Sequence, residues 1–192
     1  MPTPDDTPET LVAAGRRFRA TGDLDAAARV FSRAHSLDPT SARPLVERGA
    51  ILILQHRYDE TLADYRRAEQ LDPNYPGLQS YFAKLFLYTG RAADALRVST
   101  DAATAEPGNL MHRINIAHAQ LLLGNTGAAL SGYRDIANQW HPSKKRSGRD
   151  LALQDLRLLE NAGIEMPASA EARAVLGATE SVLGATDSEG RM

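Results

Sequence analysis

The chain of 192 residues contains no cysteine. Disulfides, thiol catalysis and cysteine-rich metal sites are therefore excluded together. An excess of charge is missing too, because 22 basic residues stand against 24 acidic ones for a formal net charge of -2. Nucleic acid and anionic membranes both favour a clear basic surplus, so neither is an expected partner. No apolar run approaches membrane-spanning length. The opening segment, Met1 to Pro8, has neither the basic start nor the apolar core of an export signal, so a cytoplasmic protein is expected. With 43% hydrophobic and 24% charged residues, the composition is that of a globular chain with one sizeable domain.

Reactive constellations are equally scarce. His112 and His118 are six residues apart, which puts them on different faces of a helix with no carboxylate completing a metal site. His35, His56 and His141 stand in separate segments without a paired nucleophile. The chain has no Gly-rich phosphate loop, calcium loop or nucleophile elbow. The acidic pairs Asp5-Asp6 and Asp59-Glu60 fall at the start of the chain and at a helix opening, where negative charge complements the helix dipole. No cofactor, no metal and no enzymatic activity is expected.

What the chain does have is a period. Pro39, Pro73 and Pro107 are spaced by thirty-four residues, and each follows an acidic residue that closes an alanine-rich run. Proline disfavours helical geometry in the residue before it, so Asp38, Asp72 and Glu106 should end helices. Aligned on this period, the first unit reads Leu11, Ala14, Gly15, Phe18, Ala27, Phe31 and Ala34. The second reads Leu45, Arg48, Gly49, Leu52, Thr61, Tyr65 and Ala68, and the third Gln79, Phe82, Ala83, Phe86, Ala95, Ser99 and Ala102. Each unit breaks near its middle, at Gly22, at His56 and at Gly90, as a helix pair would. A fourth unit continues through Ile114, Ala117, Ala129, Tyr133 and Ile136, and falters at His141-Pro142.

This alternation of small and large residues resembles the tetratricopeptide repeat. The resemblance implies an all-α, right-handed superhelical solenoid of antiparallel helix pairs, which bury their apolar sides by stacking on one another. The expected organisation is a disordered start at 1-6 and four helix pairs over 7-142, approximately 8-41, 42-75, 76-109 and 110-142. A basic linker at 143-149 follows, then a C-terminal capping helix at 150-163 and a weak helix with a flexible tail at 164-192.

The resemblance further implies a concave groove lined by the first helix of each pair, in which a protein or peptide segment is held. Its expected lining is Val12, Arg16 and Arg19; then Val46, Ala50 and Ile53 beside Arg43 and Glu47; then Tyr81, Lys84 and Tyr88; then Ile114, Asn115, His118 and Leu122. Such a lining favours a partner with apolar anchors. The clamp with which some members of the family hold a terminal carboxylate is not reproduced, since its places carry Val12, Arg16, Ala50, Ser80 and Lys84. The function expected is a non-catalytic adaptor or scaffold, with a chaperone of apolar client segments or a regulatory subunit of an enzyme as alternatives.

Overall fold

The computed structural model describes residues 6–177. Eight helices come first, α1 (Pro8–Ala20), α2 (Leu24–Leu37), α3 (Arg43–Leu54), α4 (Tyr58–Leu71), α5 (Leu78–Tyr88), α6 (Ala92–Ala105), α7 (Leu110–Leu122) and α8 (Thr126–Ala137), and α1 packs on α2, α3 on α4 and α7 on α8. A two-stranded hairpin, β1 (Trp140–His141) and β2 (Arg146–Ser147), leads to α9 (Gly148–Asn161) and α10 (Ser169–Val175). The fold is all-α apart from that hairpin. It divides into two compact units, one up to Leu85 and one from Phe86 onward.

Local chemistry sets the helix limits. Thr7 opens α1 by accepting the Thr10 amide at 3.2 Å, while its own amide donates to the Thr10 hydroxyl at 2.9 Å, and Pro8 occupies a position where no amide proton is needed. Asp23 accepts the Ala26 amide at 2.9 Å to open α2. Asp38, Asp72 and Glu106 are the closing residues of α2, α4 and α6. Two of these carboxylates then shape the following turn: Asp38 accepts the Thr40 amide at 3.0 Å, and Asp72 accepts the Asn74 amide at 3.1 Å. The turns after α1, α5 and α7 pass through a left-handed residue, Gly22, Gly90 and Gly124; after α3, His56 adopts the same conformation at φ 58.

In the first unit, the pairing of helices depends on the backbone of one approaching a ring of the other. Gly15 on α1 faces Phe31 of α2, and Gly49 on α3 faces Tyr65 of α4; both rings are fully buried. A methyl group at Gly15 would lie 2.6 Å from the Phe31 ring edge. Leu11, Val12, Ala27, Ala34 and Ile51 complete the core around Phe31. Tyr65 continues outward to Tyr81 and Phe82 of α5, with ring centroids 5.8 and 5.6 Å away.

A polar tie crosses the same unit. Arg48 of α3 grips Asp64 of α4 with two nitrogens, at 2.7 and 2.5 Å, and donates with a third to the Ser32 hydroxyl of α2 at 2.8 Å. The Asp64 partner raises the pKa of the guanidinium. Three helices are thereby joined at one partly buried charge pair, whose carboxylate would be left without its counter-charge if Arg48 were removed.

In the second unit Ile114, Ala117 and Leu121 of α7 are buried with Ala129, Tyr133 and Ile136 of α8. Helix α9 lies against α7 and α8, with Leu151, Leu156 and Leu159 buried. Gly148 lets it start close to the end of α8, because any side chain there would meet the Ile136 carbonyl. Helix α10 packs on α8, and Ala172 within it and Leu176 just beyond it are buried.

Three differences from the sequence reading stand out. Asp6, expected in a disordered start, is paired with Arg33 of α2. The stretch 143-149, expected as a linker, is the turn and second strand of a hairpin followed by the first residues of α9, because Ser147 caps that helix with Asp150. The weak C-terminal helix is confined to Ser169–Val175 among the described residues; the tail expected beyond 177 lies outside them.

The glycine contacts yield a paired prediction. Gly15→Ala should destabilise the protein by about 1–3 kcal/mol through overpacking against Phe31, whereas Gly127→Ala, with nothing within 4 Å of its added methyl, should be neutral or stabilising by up to ~1 kcal/mol. Urea unfolding followed by circular dichroism measures both. Equal behaviour of the two variants would contradict the close-approach account.

Candidate functional site

The first helices of the first unit bring charged and aromatic groups to one place. Glu47 of α3 is buried, at 5% exposure, yet carries a carboxylate. Burying an ionised group is costly unless it is paired. Two guanidiniums from α1 supply the pairing: Arg16 donates from Nε to Glu47 Oε1 at 2.7 Å, and Arg19 donates to Oε2 at 3.1 Å. Both arginine side chains keep more than two fifths of their surface in water. They cover the carboxylate on one side and face outward on the other.

Two tyrosines border this cluster. Burial pushes the Tyr81 hydroxyl up to about 12, with the Glu47 carboxylate adding to the shift and Arg19 and Arg16 opposing it. Tyr75, in the turn before α5, is raised for the same two reasons, burial first and Glu47 second, against Arg43 and Arg16. Both remain neutral hydrogen-bonding groups at physiological pH. The surface they share with Arg16, Arg19 and Arg43 is cationic and aromatic, with one carboxylate sealed beneath it.

The residues nominated from sequence divide by burial. Arg16 and Arg19 are exposed, and Ala50, Tyr81, Lys84 and Leu122 are half-buried. Val12, Val46, Ile53, Tyr88, Ile114, Asn115 and His118 are buried. These seven side chains are taken up by helix packing, and the surface that the expected lining keeps lies at the other six positions. His118 is an instance: its Nδ1 hydrogen-bonds the Tyr133 hydroxyl at 2.7 Å inside the second unit, where burial raises the tyrosine pKa.

Sequence reasoning missed Tyr75 and the Arg48–Asp64 pair. Tyr75 lies between repeats, where the register assigns no role. The pair had a visible signal, since Arg48 and Asp64 are polar residues in columns of the repeat otherwise held by Ala14 and Phe82, and by Val30 and Val98. They are also sixteen residues apart, the same interval as Gly15 from Phe31 and Gly49 from Tyr65.

No protein-family model matches the chain. A curated rice protein, U-box domain-containing protein 70 of Oryza sativa subsp. japonica, is 28% identical over 112 residues, which is 58% of this chain and 14% of that protein's own length. Among solved structures, PilW, described as a widely conserved type IV pilus biogenesis factor, superposes with a TM-score of 0.60 at 14% identity, covering 92% of this chain and 89% of PilW. YrrB, described as a TPR protein with an unusual peptide-binding site, superposes with a TM-score of 0.51 at 14% identity, covering 79% and 84%. The fold is thus that of a tetratricopeptide array, as the repeat register implied. Among the described residues no helix is long and apolar enough to cross a membrane.

One buried histidine links fold to pH. His112, at 1% exposure, has its pKa lowered by burial, an effect that Glu106, 3.5 Å from Nε2, only partly opposes. Its folded-state pKa is below that of the unfolded chain, near the ordinary 6.5, so the unfolded state binds the proton first on acidification. Stability should be full above pH 6.5 and decline as the pH falls through that value. Thermal melts across that range should show the decline, and His112→Gln should flatten it; an unchanged slope would remove His112 from the account.

Proposed function

We propose that this chain is a non-catalytic protein–protein interaction adaptor that holds an extended or helical partner segment on the first-helix face of its tetratricopeptide array. The observation that carries this reading is the half-buried Tyr81 beside Arg16 and Arg19, which Glu47 orients. Pre-oriented arginines and a tyrosine that is already partly ordered lose little side-chain entropy on binding, and residues of these types dominate interface energetics.

The chemistry of the face specifies its partner. Arg16 and Arg19 pair with the one sealed carboxylate and Arg43 stands near Tyr75, so a partner segment carrying carboxylates is favoured, with an apolar or aromatic side chain to stack on Tyr81. The apolar anchors expected from sequence are thereby reduced to few, and charge-assisted hydrogen bonds take a larger share. One buried Val, Leu or Phe contributes roughly 1.5–3 kcal/mol, whereas micromolar affinity needs about 8 kcal/mol. Several contacts must act together, which an extended segment provides.

Affinity capture from the native cell, comparing the intact protein with Tyr81→Ala, tests this reading. The variant should keep its helicity and cooperative melting and should lose a specific partner, with affinity at least about tenfold weaker. Tyr88→Ala, at a buried position, should instead lower the melting temperature. Full capture by a folded Tyr81→Ala protein would refute binding at this face.

A further inference from the structure

A cleft in the first unit lies between α2 and α4 and reaches down to α3. Its volume is about 530 Å³, within the range of roughly 300–1,000 Å³ that small-molecule sites occupy. It shares no residue with the first-helix face that carries Arg16, Arg19 and Tyr81. Ala28 and Leu52 give it a buried apolar floor, and the exposed Ala63 of α4 continues that strip to the rim. Six charged side chains line it as well, three arginines and three carboxylates, so their formal sum is zero. A polyanion finds no cationic surplus there.

Four of the six charges are spent on one another. Arg48 grips Asp64, and Arg57 holds both oxygens of Glu60 at 2.7 Å. The remaining two are Asp25 and Arg29. Asp25 accepts the Gln55 side-chain amide at 2.6 Å through one oxygen and keeps the other, while Arg29, exposed at the rim, has no partner among the described residues. Four residues apart on α2, they stand one turn from each other on the same face, unpaired and opposite in sign. Arg48 adds donors beneath them. A guanidinium has five N–H groups, and Arg48 uses one from each nitrogen on Asp64 and Ser32. One N–H is left on each terminal nitrogen, and the side chain keeps 26% of its surface accessible.

These features call for a ligand of no net charge, with a cationic and an anionic group close together and an aliphatic remainder. We propose that the cleft binds a free α-amino acid with an aliphatic side chain: its ammonium donates to Asp25, its carboxylate accepts from Arg29 and Arg48, and its side chain lies on Ala28, Leu52 and Ala63. In a peptide the two termini are set apart by the chain, whereas a free amino acid carries both charges on one carbon. The bound molecule ties α2, α3 and α4 together. Because it binds the folded form, it stabilises the first unit by mass action, which makes the adaptor responsive to amino-acid concentration.

Titration of the isotope-labelled full chain with L-leucine, followed by two-dimensional NMR, tests the site. Saturable shifts are expected for the Arg48 side-chain Nε–H and for amides of α2 and α4, with none on α7 to α9. N-acetyl-L-leucine lacks the ammonium and L-leucinamide lacks the carboxylate. Each should bind at least about tenfold more weakly, the effect of losing one hydrogen-bonded charge partner. Arg29→Gln should weaken L-leucine by a similar factor and shrink its advantage over L-leucinamide. Asp25→Asn, which keeps an oxygen for Gln55, should shrink its advantage over N-acetyl-L-leucine. Arg19→Gln, on the first-helix face, should change nothing. The comparison of the three ligands needs no variant, so it decides the matter even if a substitution impairs folding. The proposal is overturned by the lack of a saturable shift with L-leucine, by blocked analogues binding as tightly, by undiminished binding in folded Arg29→Gln and Asp25→Asn proteins, or by loss of binding in Arg19→Gln.

Discussion

The contact on which the first unit depends is an aromatic ring laid against a glycine sixteen residues earlier. Phe31 on Gly15 and Tyr65 on Gly49 set the distance between paired helices, because the ring lies where a side chain would otherwise stand. Everything else in the unit is arranged around that spacing. Ala27 and Ala34 are small because the helices are close, and the Arg48–Asp64 pair, at the same sixteen-residue interval, can bridge α3 and α4 for the same reason. In the column of Phe31 and Tyr65 the next repeat carries Ser99, which is buried, and the division into two compact units falls inside α5.

Close packing of this kind also decides which residues remain for binding. When first helices are covered by their neighbours, apolar groups such as Val46 and Ile114 disappear into the interior, while long cationic side chains keep their heads in water. In the proposed site Arg16 and Arg19 are residues of this kind. Their shared carboxylate, Glu47, holds both guanidiniums in one orientation without neutralising the face as a whole. Tyr81 stands beside them on the helix whose neighbouring Phe82 packs on Tyr65, so the core and the proposed site share a wall.

The repeat register was legible in the sequence because its signals are local. Proline after an acidic residue ends a helix wherever it occurs, and Gly22, Gly90 and Gly124 take left-handed turns on their own account. The hairpin was not legible. Its two-residue strands are too short for any alternation to show, and its lysines read equally as a linker. The start of α9 could have been placed at Gly148, since Ser147 and Asp150 have the spacing of a capping box. The burial of Val46 and Ile114 was not legible for another reason: helical periodicity says which residues share a stripe, but how wide a stripe is covered depends on the neighbouring helix.

By itself the sequence determined the fold class, the length of the repeat, the positions where helices stop and the small-to-large complementarity that pairs them. These follow from backbone geometry and side-chain volume within thirty-four residues. Only the tertiary structure decided that Glu47 is buried beneath two arginines, that Arg48 reaches three helices, that His118 is taken up by Tyr133 and that Trp140 is left in water. Burial and ion pairing are properties of surfaces brought together from distant parts of the chain. No residue carries them in its own neighbourhood of sequence.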